Sequence, residues 1–187
     1  MDEDKQLVKR TLKGEKDAFE MILRKYQQPL FNYVGRMVGE REMALDFTQD
    51  IFLKAYSFLP TYRDDFKFST WLFKIASNYL IDYWRRKKVQ TLSYDQPLDN
   101  GNDGLAMQLP CDKPSVVRRL EMAELRDRIE GALKKLPCQL RELFVWRHVN
   151  GLSYEEMAEI KGLPVGTVKN RVFQAKEMLR RLLEEKS

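Results

Sequence analysis

Residues 153–182 read SYEEMAEIKGLPVGTVKNRVFQAKEMLRRL, and the fold of the C-terminal half is decided there. Ser153 stands three residues before Glu156. The Ser153 hydroxyl can therefore accept from the Glu156 amide while the Glu156 carboxylate reaches back, which starts a helix at Tyr154. That helix is short: Met157, Ala158 and Ile160 form its apolar side, and Lys161-Gly162-Leu163 is a turn in which Gly162 is free to take positive φ. Pro164 suits the opening of a second helix, where its missing N–H costs nothing. Val165, Val168, Val172, Ala175, Leu179 and Leu182 then step by three and four, a narrow stripe on one side of that helix. At about 100° per residue, Gly166, Asn170, Phe173, Gln174 and Glu177 fall opposite the stripe. Thr167, Lys169 and Lys176 fall on its flanks. Arg171 lies nearer the buried side, with its stem packed and its head reaching out. A short helix, a tight turn and a longer helix showing Thr, Lys, Asn and Gln near its start is the arrangement that docks in a major groove. There Asn and Gln read adenine edges, and Lys or Arg reaches guanine or phosphate.

Working outward, helical periodicity dominates the 187 residues and no convincing alternating strand run appears. Phe19, Ile22, Leu23, Tyr26, Leu30, Val34 and Met37 mark one long amphipathic helix, which Pro29 is expected to kink or loosen. After a turn at Gly39 a second helix runs from about Ala44 to Phe58, with Leu45, Ile51, Phe52 and Ala55 facing inward. A third follows TYRDDFKF, with Ser69 as its N-cap, and carries Trp71, Leu72, Ile75, Ala76, Tyr79 and Leu80 to a basic tail at Lys88. From Val89 to about Ser115 the chain turns to Pro, Gly, Asn and Asp and loses periodicity, as a flexible linker does. Helix resumes near Val116 through Leu120, Met122, Leu125, Ile129 and Leu133, stopping before Pro137. Another spans about Gln139 to Val149. The expected fold is all-α: two small helical domains, 1–90 and 116–187, joined by a flexible acidic linker over 91–115, the C-terminal domain holding the helix-turn-helix.

Charge follows the same division. The net charge is +5, but its placement says more. Lys74, Arg85, Arg86, Lys87 and Lys88 face only Asp82 between residues 74 and 88. Lys161, Lys169, Arg171, Lys176, Arg180 and Arg181 face only Glu177 between 161 and 181. The linker carries Asp95, Asp99, Asp103 and Asp112 against Lys113. Two basic segments around an acidic spacer suit two contacts with one polyanion. No apolar run approaches the roughly 20 residues of a spanning helix, and the charged start MDEDKQLVKR lacks the apolar core of a secretory signal. Direct membrane insertion is therefore not expected and a cytoplasmic location is. Cys111, Cys138 and His148 form no metal-ligand pattern. With no phosphate loop or nucleophile motif either, neither a cofactor nor catalysis is expected.

The segment 135–183, KLPCQLRELFVWRHVNGLSYEEMAEIKGLPVGTVKNRVFQAKEMLRRLL, resembles the promoter-reading C-terminal domain of extracytoplasmic-function sigma factors of the sigma-70 family. That family shows LP-x-x-x-R-x-x-F, then GLSY-E-E-x-A, then LP-x-GTVK-x-R, and Gly166 to Lys169 match its GTVK. Asn170 and Phe173-Gln174-Ala175 depart from the family's usual residues there, which bears on sequence preference. Three earlier stretches resemble the family's N-terminal domain in the expected order: DAFEMILRKYQQPLFNYVGRMVG, ALDFTQDIFLKAY and FKFSTWLFKIASNYLIDYWRRKK. Its E-D-x-x-Q-(E/D)-x-F pattern is met from Leu45 to Phe52, with the first acidic position lost.

The resemblance implies an RNA polymerase sigma factor directing promoter-specific initiation of a stress or envelope-response regulon. Its partners would be the clamp and flap regions of core RNA polymerase, promoter DNA both duplex and melted, and an anti-sigma factor. Asp46, Gln49, Asp50 and Leu53, a polar strip with an apolar edge, would meet the polymerase clamp. Tyr62, Arg63, Phe66, Lys67, Asn78, Asp82, Arg85 and Arg86 would serve the melted minus-ten element, since bases stack on rings while phosphates meet cations. Thr167, Lys169, Asn170, Arg171, Phe173, Gln174 and Lys176 would serve the minus-thirty-five duplex. The C-terminal half alone is equally compatible with a stand-alone helix-turn-helix regulator. That alternative leaves the Asp46–Leu53 strip and the aromatic segment without a task.

Overall fold

The computed structural model describes residues 3–91 and 116–184. Among these residues every regular element is a helix: α1 (Glu3–Leu12), α2 (Lys16–Val38), α3 (Arg41–Phe58), a 3-10 turn (Leu59–Thr61), α4 (Phe68–Thr91), α5 (Val116–Lys135), α6 (Cys138–His148), α7 (Tyr154–Lys161) and α8 (Val165–Glu184). All but one residue of the expected linker lies outside the described residues.

The N-terminal domain is built around α2. Ile22, Leu30, Tyr33 and Val34 are fully buried on it, and α1, α3 and α4 pack around it. Pro29 leaves α2 a single helix. The helix stops at Gly39, whose φ of 84° lets its N–H reach back to the Gly35 carbonyl at 2.8 Å, the left-handed cap that glycine adopts without a Cβ penalty. α1 was not legible as a helix. It contributes Leu7 and Val8 to the core and holds Asp4 against Lys25 at 2.6 Å.

Three expectations are corrected here. Leu45, expected to face inward, is 43% exposed, and Ala44 and Thr48 take the buried positions of α3 instead. The helix starts at Arg41 rather than Ala44, and its inner stripe is Ala44, Thr48, Ile51, Phe52 and Ala55, with Leu45 beside it. Ser69 is not an N-cap, because α4 already begins at Phe68.

In the C-terminal domain Ala132, Leu133 and Leu136 of the α5 end pack on Ala175 and Leu179 of α8, with Leu140 and Phe144 of α6 alongside. Met122 and Leu125, expected on the packed face of α5, are exposed. Among the described side chains of α5, the buried ones, Ala132 and Leu133, lie near its C-terminal end. The second, larger core is continuous across the two halves: the Tyr33 ring lies 5.7 Å from Phe73 and 5.5 Å from Trp146.

Candidate nucleic-acid interface and docking groove

The capping box forms as its sequence requires. The Glu156 amide donates to the Ser153 hydroxyl at 3.1 Å, and the Ser153 amide donates to the Glu156 carboxylate at 2.7 Å. Burial alone would raise the Glu156 carboxyl, but the Ser153 amide and Lys67, 3.0 Å away, outweigh it and hold the group below its ordinary range. Gly162 closes α7 at φ 61°, and the Pro164 carbonyl accepts from the Val168 amide as the next helix begins. Pro164 thus stands just ahead of α8 rather than within its first turn.

Val168, Val172, Ala175 and Leu179 are buried, so α8 is fixed in rotation. This leaves Asn170, Gln174, Lys169 and Lys176 exposed, with Thr167 and Arg171 half-buried on the flanks. Phe173 is 61% exposed at the centre of that face. Most of its ring therefore faces solvent, an apolar edge among amides. The Lys169 ammonium sits 5.6 Å from the Tyr154 ring, and the Arg147 guanidinium 4.6 Å from the same ring. Tyr154 thereby brings two cations together at the start of α7.

The N-terminal domain offers a second cation-bearing face. Arg63 and Arg86 are exposed, as is Phe66 at 48%, and Asn78 is exposed on α4, whose next turn carries Asp82 and Arg85, paired at 3.0 Å. Tyr62 belongs more to the scaffold. Its ring meets Phe68 and Trp71 edge-on, and its hydroxyl donates to the Phe66 carbonyl at 2.8 Å, pinning the loop that carries Phe66. Lys67 reaches across to Glu156 of α7.

On α3, Asp46, Gln49 and Asp50 are exposed and Leu53 is 67% exposed. Asp50 also has an internal role: it accepts from the Tyr79 hydroxyl at 2.6 Å. Burial and then Asp50 raise the Tyr79 phenol above its ordinary value, so it stays a donor. Beside this strip, α2 and α3 form a groove of about 910 Å³ whose walls include Phe19, Leu23, Phe31, Leu45 and Tyr56. Sequence reasoning missed it. The signal was present as a surplus: Phe19 and Leu23 widen the α2 stripe beyond what its own core needs.

A helix-turn-helix domain joined to a second helical domain with its own cation-bearing face defines a DNA-binding protein of the transcription machinery. Residues 22–89 match the Sigma-70 region 2 family and residues 126–179 match Sigma-70, region 4. The RNA polymerase sigma-H factor of Pseudomonas aeruginosa is 34% identical over 192 residues, spanning 98% of this chain and 95% of its own. The ECF RNA polymerase sigma factor SigW of Bacillus subtilis is 35% identical over 186 residues, 97% of each chain. The chain belongs to the extracytoplasmic-function sigma factors of the sigma-70 family, the transcription-initiation factors of RNA polymerase. Among solved structures, CnrH in complex with the cytosolic domain of CnrY superposes with a TM-score of 0.71 at 25% identity over 100% of both chains. The sigma factor RpoE of Bartonella quintana, solved with the anti-sigma factor NepR, shares the fold at a TM-score of 0.72 and 23% identity, over 89% of this chain and 96% of its own.

Proposed function

We propose that this sigma factor divides its work among three surfaces. The outward face of α8, with Thr167, Lys169, Asn170, Arg171, Phe173, Gln174 and Lys176, reads the minus-thirty-five element as duplex. The loop carrying Arg63, Phe66 and Lys67, together with Tyr62 as its pin and Asn78, Asp82, Arg85 and Arg86 on α4, holds the melted minus-ten strand. Asp46, Gln49, Asp50 and Leu53 dock on the clamp of core polymerase, and the C-terminal domain meets the flap. The domains follow the boundaries 1–90 and 116–187, with 91–115 as the tether, so two weak DNA contacts gain through effective concentration. The factor works in the cytoplasm, beside polymerase, and an anti-sigma factor holds it when it is not needed. CnrH is known bound to a cytosolic domain of CnrY, which supports such a partner.

The observation that carries this reading is the solvent-facing set on α8: Phe173 with Lys169, Asn170, Gln174 and Lys176 exposed, while Val168, Val172, Ala175 and Leu179 are buried. The test is promoter opening with purified core polymerase. Leu53→Arg is expected to abolish open complexes without affecting duplex binding by the C-terminal domain, because Leu53 lies on the other domain and is 67% exposed. Asn170→Ala/Gln174→Ala is expected to weaken opening on minus-thirty-five-dependent promoters alone. Opening that is indifferent to both variants overturns the assignment.

A further inference from the structure

Where the two domains meet, four polar side chains from four helices converge on one buried point. The Tyr33 hydroxyl of α2 donates to the Glu142 carboxylate of α6 at 2.6 Å, and the Ser77 hydroxyl of α4 donates to the same oxygen at 2.8 Å. Lys161 at the end of α7 pairs with the other carboxylate oxygen and donates to Ser77 at 2.9 Å. The Lys161 ammonium also lies 5.2 Å from the Trp146 ring. Glu142 is 4% exposed and Ser77 2%.

Around this point the seam is imperfectly satisfied. Arg36 Nε, Arg141 Nε, Trp146 Nε1 and Asn150 Oδ1 are buried without a hydrogen-bond partner among the described residues. All four residues lie at the seam. Arg36 pairs with Glu130 of α5, Arg141 reaches the Arg36 and Met37 carbonyls, Asn150 reaches the Pro29 carbonyl, and Trp146 stacks near Tyr33. Every one of these polar groups regains water when the seam parts, while Leu143, Val145, Trp146, Met157 and Ile160 give up apolar packing in the core they share with Tyr33, Leu72 and Phe73. A buried ion pair fixes geometry well, but its desolvation cost makes it a weak adhesive. An apolar plug in its place would resist separation.

The closed seam is also incompatible with the DNA contacts proposed above, on which this inference rests. In it α7 lies against α4, at the roughly 8–10 Å of packed helices. The minus-ten and minus-thirty-five elements stand some 25 positions apart, roughly 85 Å of B-form duplex at 3.4 Å per base pair. Lys67, a minus-ten contact, is moreover paired with Glu156 across the seam. We infer that Tyr33, Ser77, Glu142 and Lys161 form a polar latch that holds the free chain closed, and that the latch sets how readily core polymerase and promoter DNA capture it. Affinity for core then falls in proportion to the open fraction.

The test places spin labels at Glu20→Cys and Arg180→Cys in full-length protein carrying Cys111→Ser and Cys138→Ser, and measures their separation by pulsed electron resonance. The wild-type chain is expected to give one short, narrow distance. Glu142→Gln, which leaves Lys161 without its counter-charge, is expected to add a long, broad population with unchanged helicity by circular dichroism. It should also lower the core polymerase concentration for half-maximal promoter opening by about fivefold or more. A second variant changes the sign: Tyr33→Phe/Ser77→Ala/Glu142→Leu/Lys161→Met makes the latch apolar. It should keep the short distance and raise the polymerase requirement, and it decides the matter if Glu142→Gln fails to fold. A broad, long distance in the wild type overturns the latch. So does an apolar variant that stays closed yet engages polymerase as readily as wild type. Failure of the wild type to open any promoter would instead count against the DNA assignment, and the distances would still judge the latch.

Discussion

The two faces of α6 meet their neighbours by different chemistry. Leu140 and Phe144 turn toward α5 and α8, into an apolar layer of Ala132, Leu133, Leu136, Ala175 and Leu179. Glu142 and Trp146 turn toward α2 and α4, into the seam, and Asn150 just past the helix end reaches the Pro29 carbonyl there. The first joint holds one domain together for good, and dispersion plus apolar burial suffice for it. The second joins the two domains that the proposed DNA contacts require to part. The difference teaches that within one short helix one contact rests on apolar packing, while the other adds a buried ion pair and its hydrogen bonds to an apolar core, and only those polar groups rehydrate on separation.

The sharpest way to break this comparison is to damage each joint and ask what is lost. Leu133→Ala, at a site 2% exposed, should cost about 2–5 kcal/mol of folding stability through lost burial and the cavity left behind. A lowered urea midpoint of the C-terminal helices would register it. Tyr33→Phe should act elsewhere. It removes one hydrogen bond to a carboxylate, worth about 1.5–3 kcal/mol, and should appear as faster amide exchange along α6 and the facing turn of α2, with both domains still folded. If Tyr33→Phe instead melts the N-terminal domain as a whole, the seam belongs to the permanent core and the comparison fails.

A smaller effect separates local from long-range signals. Ser153→Ala should cost about 1 kcal/mol, seen as faster amide exchange in the first turn of α7, with the distance between domains unchanged. This cap was legible because both halves of it lie within four residues. So were Gly162 and the stripe from Val168 to Leu179, which fix the turn and the rotation of α8 and hence the exposure of Asn170, Phe173 and Gln174. What sequence could not show was whatever depends on distant partners. Glu142 meets Tyr33 across 109 positions and Ser77 across 65, and nothing in RELF marks a glutamate as buried. α1 was missed because its buried stripe, Asp4, Leu7, Val8 and Thr11, is half polar. Leu45 was misplaced because it sits seven residues before Phe52, at the edge of the stripe, where Ala44 and Thr48 take the inner positions and Leu45 lines the groove. Tyr62 and Asp50 were read as free surface groups, and each turned out to hold a neighbour in place as well.

The smallest expected effect reads the seam through one carboxyl. Glu156 titrates below its ordinary range, since the Ser153 amide and Lys67 favour its charged form more than burial opposes it. A carboxyl depressed by folding stabilises the folded form above its unfolded value, near 4.3. That stabilisation is lost as pH falls through the lower, folded value. Acid should therefore loosen the start of α7 and its tie to α4 together. Lys67 is 69% exposed, so the pair itself contributes at most about 1 kcal/mol and should weaken with added salt. Carboxyl-carbon NMR through an acid titration is the direct check, comparing wild type with Lys67→Met. In the closed chain the substitution removes a cation 3.0 Å from the carboxylate, and the Glu156 midpoint should move upward. In a chain already open in solution, Lys67 is far from α7 and the midpoint should not move. Because Ser153 belongs to the same domain as Glu156, its share of the depression survives opening. The remainder, due to Lys67, measures how much of the free protein is closed.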